Sequence, residues 1–478
     1  MPAFRAIVSI CSHDRVRMRD SVILMLVLIA SAPATASGVA AQIQDRARLV
    51  AALDSAAQAH VAHAMVAGVS VAVLRGNDTL LHKGYGFADL EWSLPTPADA
   101  SASYEIGSVT KQFTAAAILK LVEEGKLDLD EDFTAYLPDF DTDGHRVPLR
   151  RLLDHTSGIK GYTEMPVFAE LAMKTLPRDT LVSLVEAEPF EFEPGTAQIY
   201  NNSAYFLLGL IIEKVSGEEY EDFVVKQLFA PAGMRSSYYC SSSTLRKNKA
   251  HGYDGSPQGL IHKRSLDHTW PYAAGSLCST TADLVRWNRA LHGGQILKPE
   301  TYAAMTTPIP LVDGSPTTYA MGLGIEDRAG RRMISHGGGI NGYLSDARYF
   351  PAGDVVIVVL QNSTGPQGPA ALSGAITNLI FGPVTAPAAV PFTGNLEAFV
   401  GEYAGPARGS HLHMTVTRDG DQLVFTASGQ QNGARPLHIG NGVWLNGGSR
   451  LWFVTPADRA TELRLEQGAG HYVLRRVR

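Results

Sequence analysis

A chain of 478 residues is long for one domain, and two domains behind a leader is the natural expectation. Apolar residues make up 45% and charged residues 18%, the balance of a globular chain with a sizeable core. The net charge of −6 shows no basic excess, so composition gives no footing to nucleic-acid binding.

Arg15, Arg17 and Arg19 precede an apolar run over 22–30, and small residues follow at Ala34-Thr35-Ala36 and Val39-Ala40-Ala41. That order is a secretory signal peptide over 1–41, with secreted or periplasmic location after cleavage. The run is shorter than the roughly 18–20 apolar residues that span a bilayer, so no stable membrane anchor is expected. Cys11 would leave with the leader. Cys240 and Cys278 then remain, either paired, as an exported chain permits, or as two buried thiols.

Residues 45–64 read as an amphipathic helix, with Leu49, Leu53, Ala56, Ala57 and His60 near helical spacing. A hairpin follows over 68–89, where Val69, Val71 and Val73 alternate and Gly76-Asn77-Asp78 turns. From Ser108 a long helix runs through Phe113, Ala117 and Leu121 to a stop at Gly125. Further helices are expected over 204–215, 281–291 with Thr280 or Thr281 as N-cap, and 367–381. Strands return at 332–336, 343–350 and 355–360. Strands at both ends of a helical middle predict an α+β fold, an antiparallel sheet flanked by helices with a helical subdomain. The main domain would cover 42–382 and a Pro/Ala-rich linker 383–395. Alternating segments over 396–478 then predict a C-terminal β-rich domain, a small barrel or sandwich.

Ser108-Val109-Thr110-Lys111 opens the long helix after Gly107. Positions i and i+3 share a helix face, so Lys111 can reach the Ser108 hydroxyl. The helix N-terminus and burial both disfavour a cation, which leaves the amine neutral and basic. Ser157-Gly158-Ile159-Lys160 has the same spacing but sits in a turn with no helix behind it and reads as structural. Tyr200-Asn201-Asn202 precedes the second long helix; a phenol there can relay a proton, and the Asn202 amide can hold a substrate carbonyl and orient the lysine. The plainer reading is that Asn202 or Ser203 caps that helix. His336-Gly337-Gly338-Gly339 ends a predicted strand, where glycines let a substrate lie against the strand edge. The N–H groups of Gly339 and Ser108 would then face an oxyanion. His155 reads as stabilising the loop after a helix. No CxxC or HExxH metal site and no Gly-x-Ser-x-Gly elbow occurs, and no cofactor is expected.

With these motifs in this order, the sequence resembles the serine β-lactamase and penicillin-binding-protein superfamily, in particular the class C β-lactamase-like group of D,D-peptidases, D-aminopeptidases and family VIII esterases. Tyr104-Glu105-Ile106-Gly107, Asp154-His155-Thr156-Ser157-Gly158, Glu193-Pro194-Gly195 and Ala274-Gly275-Ser276-Leu277 extend the resemblance over about 45–380. It implies Ser108 as nucleophile, Lys111 as its base partner and Tyr200 as proton relay. It places Asn202, His336, Gly338 and Gly339 at the substrate. His336 stands where many β-lactamases carry the lysine of Lys-Thr-Gly, a departure that points to the peptidase and esterase members. Resemblance to archaeal-type D-peptidases implies a lipocalin-like C-terminal domain, which can wall off the site or serve equally as a stability or adhesion module.

The expected activity is therefore a serine hydrolase forming an acyl-enzyme on a small-molecule or peptide substrate with a peptide, amide or ester bond. The alternative is a penicillin-binding or sensing protein that recognises ligand with little turnover. The sequence sets neither the substrate nor the oligomeric state.

Overall fold

Both ends of the first 380 residues meet in one antiparallel sheet. The computed structural model describes residues 36–63, 65–97, 99–328 and 330–478. Residues 1–35 of the expected leader, with Cys11, lie outside them. Residues Arg48–Arg478 pack as one unit.

The sheet strands are β1 (Gly68–Arg75), β2 (Asp78–Asp89), β3 (Leu94–Pro95), β4 (Gly324–Asp327), β5 (Arg332–Ile340), β6 (Tyr343–Phe350) and β7 (Val355–Gln361), in the order β3-β2-β1-β7-β6-β5-β4. The sheet closes where β1 meets β7 in the register Val69↔Gln361, Val71↔Val359, Val73↔Ile357. Side chains alternate between faces. Val69, Val71, Val73, Ile357 and Val359 pack with Leu53 and Ala57 of helix α1 (Ala36–Val61), and with Leu372 and Ile376 further on. Ala72, Val356, Val358 and Leu360 face the larger core with Phe113 and Trp287. Both faces are covered, so the residues between the valines are buried too. Each such aliphatic side chain contributes roughly 1.5–3 kcal/mol.

Helix α2 (Thr110–Glu123) runs through that core and buries Lys111, Gln112 and Thr114 beside its apolar residues. Ser108 lies just ahead of it, in a one-turn 3-10 segment over Gly107–Val109. Helix α3 (Asn202–Ser216) packs against α2 and ends at Gly217, whose φ of 73° is the left-handed conformation glycine accepts without strain. Its cap is Asn201, whose side chain accepts from the Ala204 N–H. The expected cap at Asn202 or Ser203 is thereby corrected by one position, and the Asn202 amide is left for another partner. Helix α4 (Thr281–His292) has Thr280 as its N-cap and α5 (Pro369–Phe381) covers the sheet, both as expected. Strand β5 runs through the three glycines to Ile340 and does not end at His336. Glycines are poor strand formers and masked its length.

An exposed stretch over 382–395 leads to a second antiparallel sheet. Its strands are β8 (Gly401–Ala407), β9 (Ser410–Asp419), β10 (Gln422–Ala427), β11 (Leu437–His438), β12 (Val443–Asn446), β13 (Ser449–Val454), β14 (Glu462–Gln467) and β15 (Gly470–Arg476). They order as β10-β9-β8-β15-β14-β13-β12-β11, so the sheet curls into half a barrel with β10 and β11 at its edges. Tyr403, Phe425, Trp444 and Leu463 fill its concave side.

Cys240 and Cys278 are joined by a disulfide. It ties Leu277–Ser279 to the chain just after Tyr238–Tyr239, the strand beside it. The bridge closes a loop across a sequence separation of 38 residues. In the chain-entropy account such a loop is worth about 4 kcal/mol. Denaturant unfolding of the oxidised protein against Cys278→Ser should show a loss of about 2–4 kcal/mol for the variant. Equal midpoints would mean that the bridge adds nothing.

Candidate active site

The site grows out of a backbone collision that only glycines avoid. The chain leaves Tyr104–Glu105, turns at Gly107 with φ +52°, and enters the Ser108 turn directly against strand β5. A Cβ on Gly107 would meet the Gly339 nitrogen at 2.9 Å, and one on Gly338 would overlap the Ile106 carbonyl oxygen and Ser345 Oγ. Ser345 donates to that same carbonyl at 2.8 Å. Gly338 thus serves the protein's own backbone, where the sequence suggested room for substrate. Among the described residues no strand pairs with the outer side of β5 beyond Ser335, so the edge over 336–340 is unpaired there, and Gly339 lies on it.

Lys111 stands one turn after Ser108 and is fully buried. Its Nζ donates to Asn202 Oδ1 at 2.7 Å and to the Ala274 carbonyl at 2.9 Å, and lies 3.3 Å from Ser108 Oγ. The first two partners can only accept. Burial holds the Lys111 pKa well below the ordinary lysine range; the charge of Arg408 lowers it further and that of Glu164 opposes this. A neutral amine has two N–H groups and one lone pair. Asn202 and Ala274 take the two N–H groups, which turns the lone pair toward the half-buried Ser108 hydroxyl.

The Tyr200 ring lies 4.7 Å from Lys111 Nζ, and among the described residues its buried hydroxyl makes no hydrogen bond of good geometry. Burial pushes this phenol well above the usual range, with the nearby Ser108 side chain pulling partway back. At neutral pH it is a proton donor. His155 holds this segment. In a left-handed conformation with φ +63°, it accepts the Asn201 N–H at Nδ1 (3.1 Å). Its ring packs 4.3 Å from that of Tyr200 and 4.5 Å from that of Tyr319. The expected loop-stabilising role therefore extends to positioning Tyr200.

The structure brings Ser108, Lys111, Tyr200 and Asn202 together and sets His336 apart from the role expected of it. The His336 ring is buried, with Nε2 2.9 Å from the Tyr319 hydroxyl and Nδ1 2.5 Å from the Gly337 carbonyl oxygen. The carbonyl fixes the proton on Nδ1, and Nε2 then accepts from Tyr319. Burial, then the Lys111 charge, lowers its pKa to about 3. It is no cation for a substrate carboxylate. Ser157 is buried and Lys160 pairs with Glu191 at 2.7 Å, so the second Ser-x-x-Lys is structural. Among the described residues one group of three, Asp89, Glu91 and His251, has ligand atoms close enough for a metal ion. It is a surface group, with His251 Nδ1 3.3 Å from Asp89.

Thr163, Glu164 and Arg408 were not foreseen. Asn202 Nδ2 donates to Thr163 Oγ1 (3.0 Å), Thr163 to Glu164 Oε2 (2.8 Å), and Arg408 Nε to Glu164 Oε1 (2.7 Å). All three residues lie outside the motifs, and the arginine comes from the far sheet.

The Beta-lactamase family model matches residues 53–378, more than half of the chain. The chain belongs to the β-lactamase family. Among curated proteins it is 29% identical over 308 residues to a D-aminopeptidase of Brucella canis, a match covering 64% of this chain and 58% of that protein. The chain thus spans less than two thirds of that relative's length. Among solved structures it is similar to D-amino acid amidase from Ochrobactrum anthropi SV3, with 27% identity and a TM-score of 0.61 over 70% of this chain and 99% of that one. It is also similar to an octameric penicillin-binding protein homologue from Pyrococcus abyssi, with 26% identity and a TM-score of 0.61. That match covers 88% of this chain and 99% of the homologue, and so reaches past the family match.

Gly338→Ala should lower the melting temperature by several degrees, because the new methyl falls on backbone. Gly339→Ala meets only Leu344 at 3.5 Å and should be nearly neutral in the same melt. A second expectation concerns acid. Burial lowers the pKa of His155, His292, His336 and His471. Below about pH 6.5 the unfolded chain takes up protons that the fold refuses, so stability falls with pH. For His292 and His336 the loss continues toward about pH 3. Melting curves from pH 7 to 4 should show a steady decline; a flat profile would contradict the buried neutral histidines.

Proposed function

We propose that this chain is an exported serine hydrolase that forms an acyl-enzyme on Ser108 and acts on D-amino-acid peptides, amides or esters in preference to β-lactams. The observation that carries the reading is the bonding of Lys111, whose two N–H groups are held by obligate acceptors while its nitrogen faces Ser108 Oγ. The names of the D-aminopeptidase and D-amino acid amidase relatives support an amide substrate. The neutral His336 supports weak gripping of a drug carboxylate from the β5 edge.

On this reading Lys111 takes the Ser108 proton as Oγ attacks the substrate carbonyl carbon. The N–H groups of Ser108 and Gly339 receive the oxyanion, the former in the first turn of a helical segment where it lacks an intrahelical partner. Collapse of the tetrahedral intermediate breaks the carbonyl–nitrogen or carbonyl–oxygen bond. Tyr200 gives its phenolic proton to the leaving group and is reprotonated from the Lys111 ammonium. Water then attacks the ester, losing its proton to the same pair and releasing Ser108. Residues 42–382 form the catalytic domain and 396–478 an accessory domain.

A fluorophosphonate probe should label Ser108, as read by peptide mass spectrometry. Labelling should vanish in Ser108→Ala and persist in Ser157→Ala. Lys111→Arg should be as inactive as Lys111→Ala because a guanidinium stays charged. Tyr200→Phe should lower kcat by about a hundredfold or more on D-amino-acid p-nitroanilides or p-nitrophenyl esters. Labelling that survives Ser108→Ala would refute the mechanism. Labelling without turnover of esters, anilides or nitrocefin would leave a ligand-binding protein.

A further inference from the structure

The turn between β8 and β9 carries Arg408 and Gly409 to the site. Arg408 donates through Nε to Glu164 at 2.7 Å, and its guanidinium carbon lies 5.0 Å from the centre of the Tyr200 ring. Gly409, at φ +70°, lets the turn close on Glu164, where a Cβ would already sit 3.1 Å from Cγ. The sheet is pinned close by. Gln198 and His471 exchange backbone hydrogen bonds of 3.0 and 2.8 Å two residues before Tyr200, and Arg464 pairs with Asp313 at 2.6 Å. Arg408 is therefore held where the curled sheet meets the segments around Glu164 and Tyr200. Donors run from Lys111 through Asn202 and Thr163 to Glu164, and Arg408 donates to the same carboxylate from the other end, so an unbroken chain of hydrogen bonds joins the curled sheet to the lysine.

One of these two charges is free for a ligand. Both Glu164 oxygens are engaged, and its side chain is only 13% exposed. The Arg408 side chain is 44% exposed, and among the described residues its other N–H groups meet no acceptor. His336, at the position the family resemblance gives to a cationic lysine, is neutral and bonded at both nitrogens. The ring beside Arg408 is that of Tyr200, the residue assigned above to protonate the leaving group, so the guanidinium lies next to that proton donor.

We propose that Arg408, delivered by the C-terminal sheet, recognises a carboxylate on the leaving group, so that the preferred substrates carry a free acid just beyond the scissile bond. This rests on the acyl-enzyme reading of Ser108.

The test uses two esters of one N-acyl-D-amino acid, with phenol and with 3-hydroxybenzoate as leaving groups, on the full chain. Wild type should favour the carboxylated ester in kcat/KM by roughly ten- to a hundredfold, the usual worth of charge-assisted bonds. The difference should appear in KM and, through the basicity of Lys111, in kcat, and stay level from pH 6 to 9, since a guanidinium does not titrate there. Arg408→Gln can still donate to Glu164 but has no charge, and its ratio should fall to about one; Arg408→Lys should recover part of it. Where turnover is too slow, each ester's competition against fluorophosphonate labelling reads the same ratio. A wild-type ratio near one, or a ratio unchanged in either variant, overturns the proposal while leaving a labelled Ser108 intact. Absence of labelling at Ser108 overturns both readings.

Discussion

Lys111 is buried without a carboxylate partner, which disfavours its charged form, and much of the local structure around Ser108 aims its nitrogen. Desolvation is the largest influence that lowers its pKa. Direction comes from Asn202 Oδ1 and the Ala274 carbonyl, and each is itself held. Asn201 takes the capping duty of α3, which leaves Asn202 free to turn its oxygen inward. Thr114, one helical turn beyond Lys111, donates to the Ala273 carbonyl at 2.6 Å. Consecutive carbonyls of the 272–275 turn are thus bonded by consecutive turns of α2. The same helix therefore supplies the base and fixes the backbone that orients it.

The second sheet belongs to this arrangement more closely than its place in the chain implies. The exposed 382–395 stretch separates it in sequence, yet Gln198 and His471, both fully buried, bond across to each other just ahead of Tyr200. Arg464, also buried, reaches Asp313 on the catalytic side. Removing that sheet would bare a buried glutamine beside the proton relay and leave Glu164 without its cation. Through Arg408 the second sheet thus touches Glu164 and the Tyr200 ring.

Residues whose chemistry depends on local spacing were legible in the sequence. Ser108 and Lys111 are three apart at a helix start, Tyr200 stands at the head of another helix, and the valines of β1 alternate. What escaped was set by contacts distant in sequence. Glu462-Leu463-Arg464-Leu465 alternates as a strand should, but its charged positions hid β14, because the buried Arg464 is paired with Asp313 and Glu462. The glycines after His336 signalled a close backbone approach, and the approaching backbone proved to be Ile106 and Gly107. His336 itself was legible as a residue at the right place on a strand; its neutrality follows from Tyr319 and the Gly337 carbonyl, which no spacing rule reveals. Arg408 lies almost 300 positions after Lys111.

Burial acts on Lys111 and Tyr200 in opposite formal directions, lowering one pKa and raising the other, and both shifts favour the uncharged form. At rest the pair is an amine beside a phenol. On the proposed mechanism, attack by Ser108 would create an ammonium at Lys111, to which Asn202 Oδ1 and the Ala274 oxygen are already bonded, so little reorganisation is required. Arg408 complicates this balance. Its charge disfavours the ammonium and favours the phenolate, and Glu164 offsets it only in part. A substrate carboxylate bound to the guanidinium would supply the missing negative charge as the proton moves from Ser108 to Lys111. Recognition and proton transfer are then linked through one arginine: a substrate without the acid both binds less tightly and meets a less basic lysine.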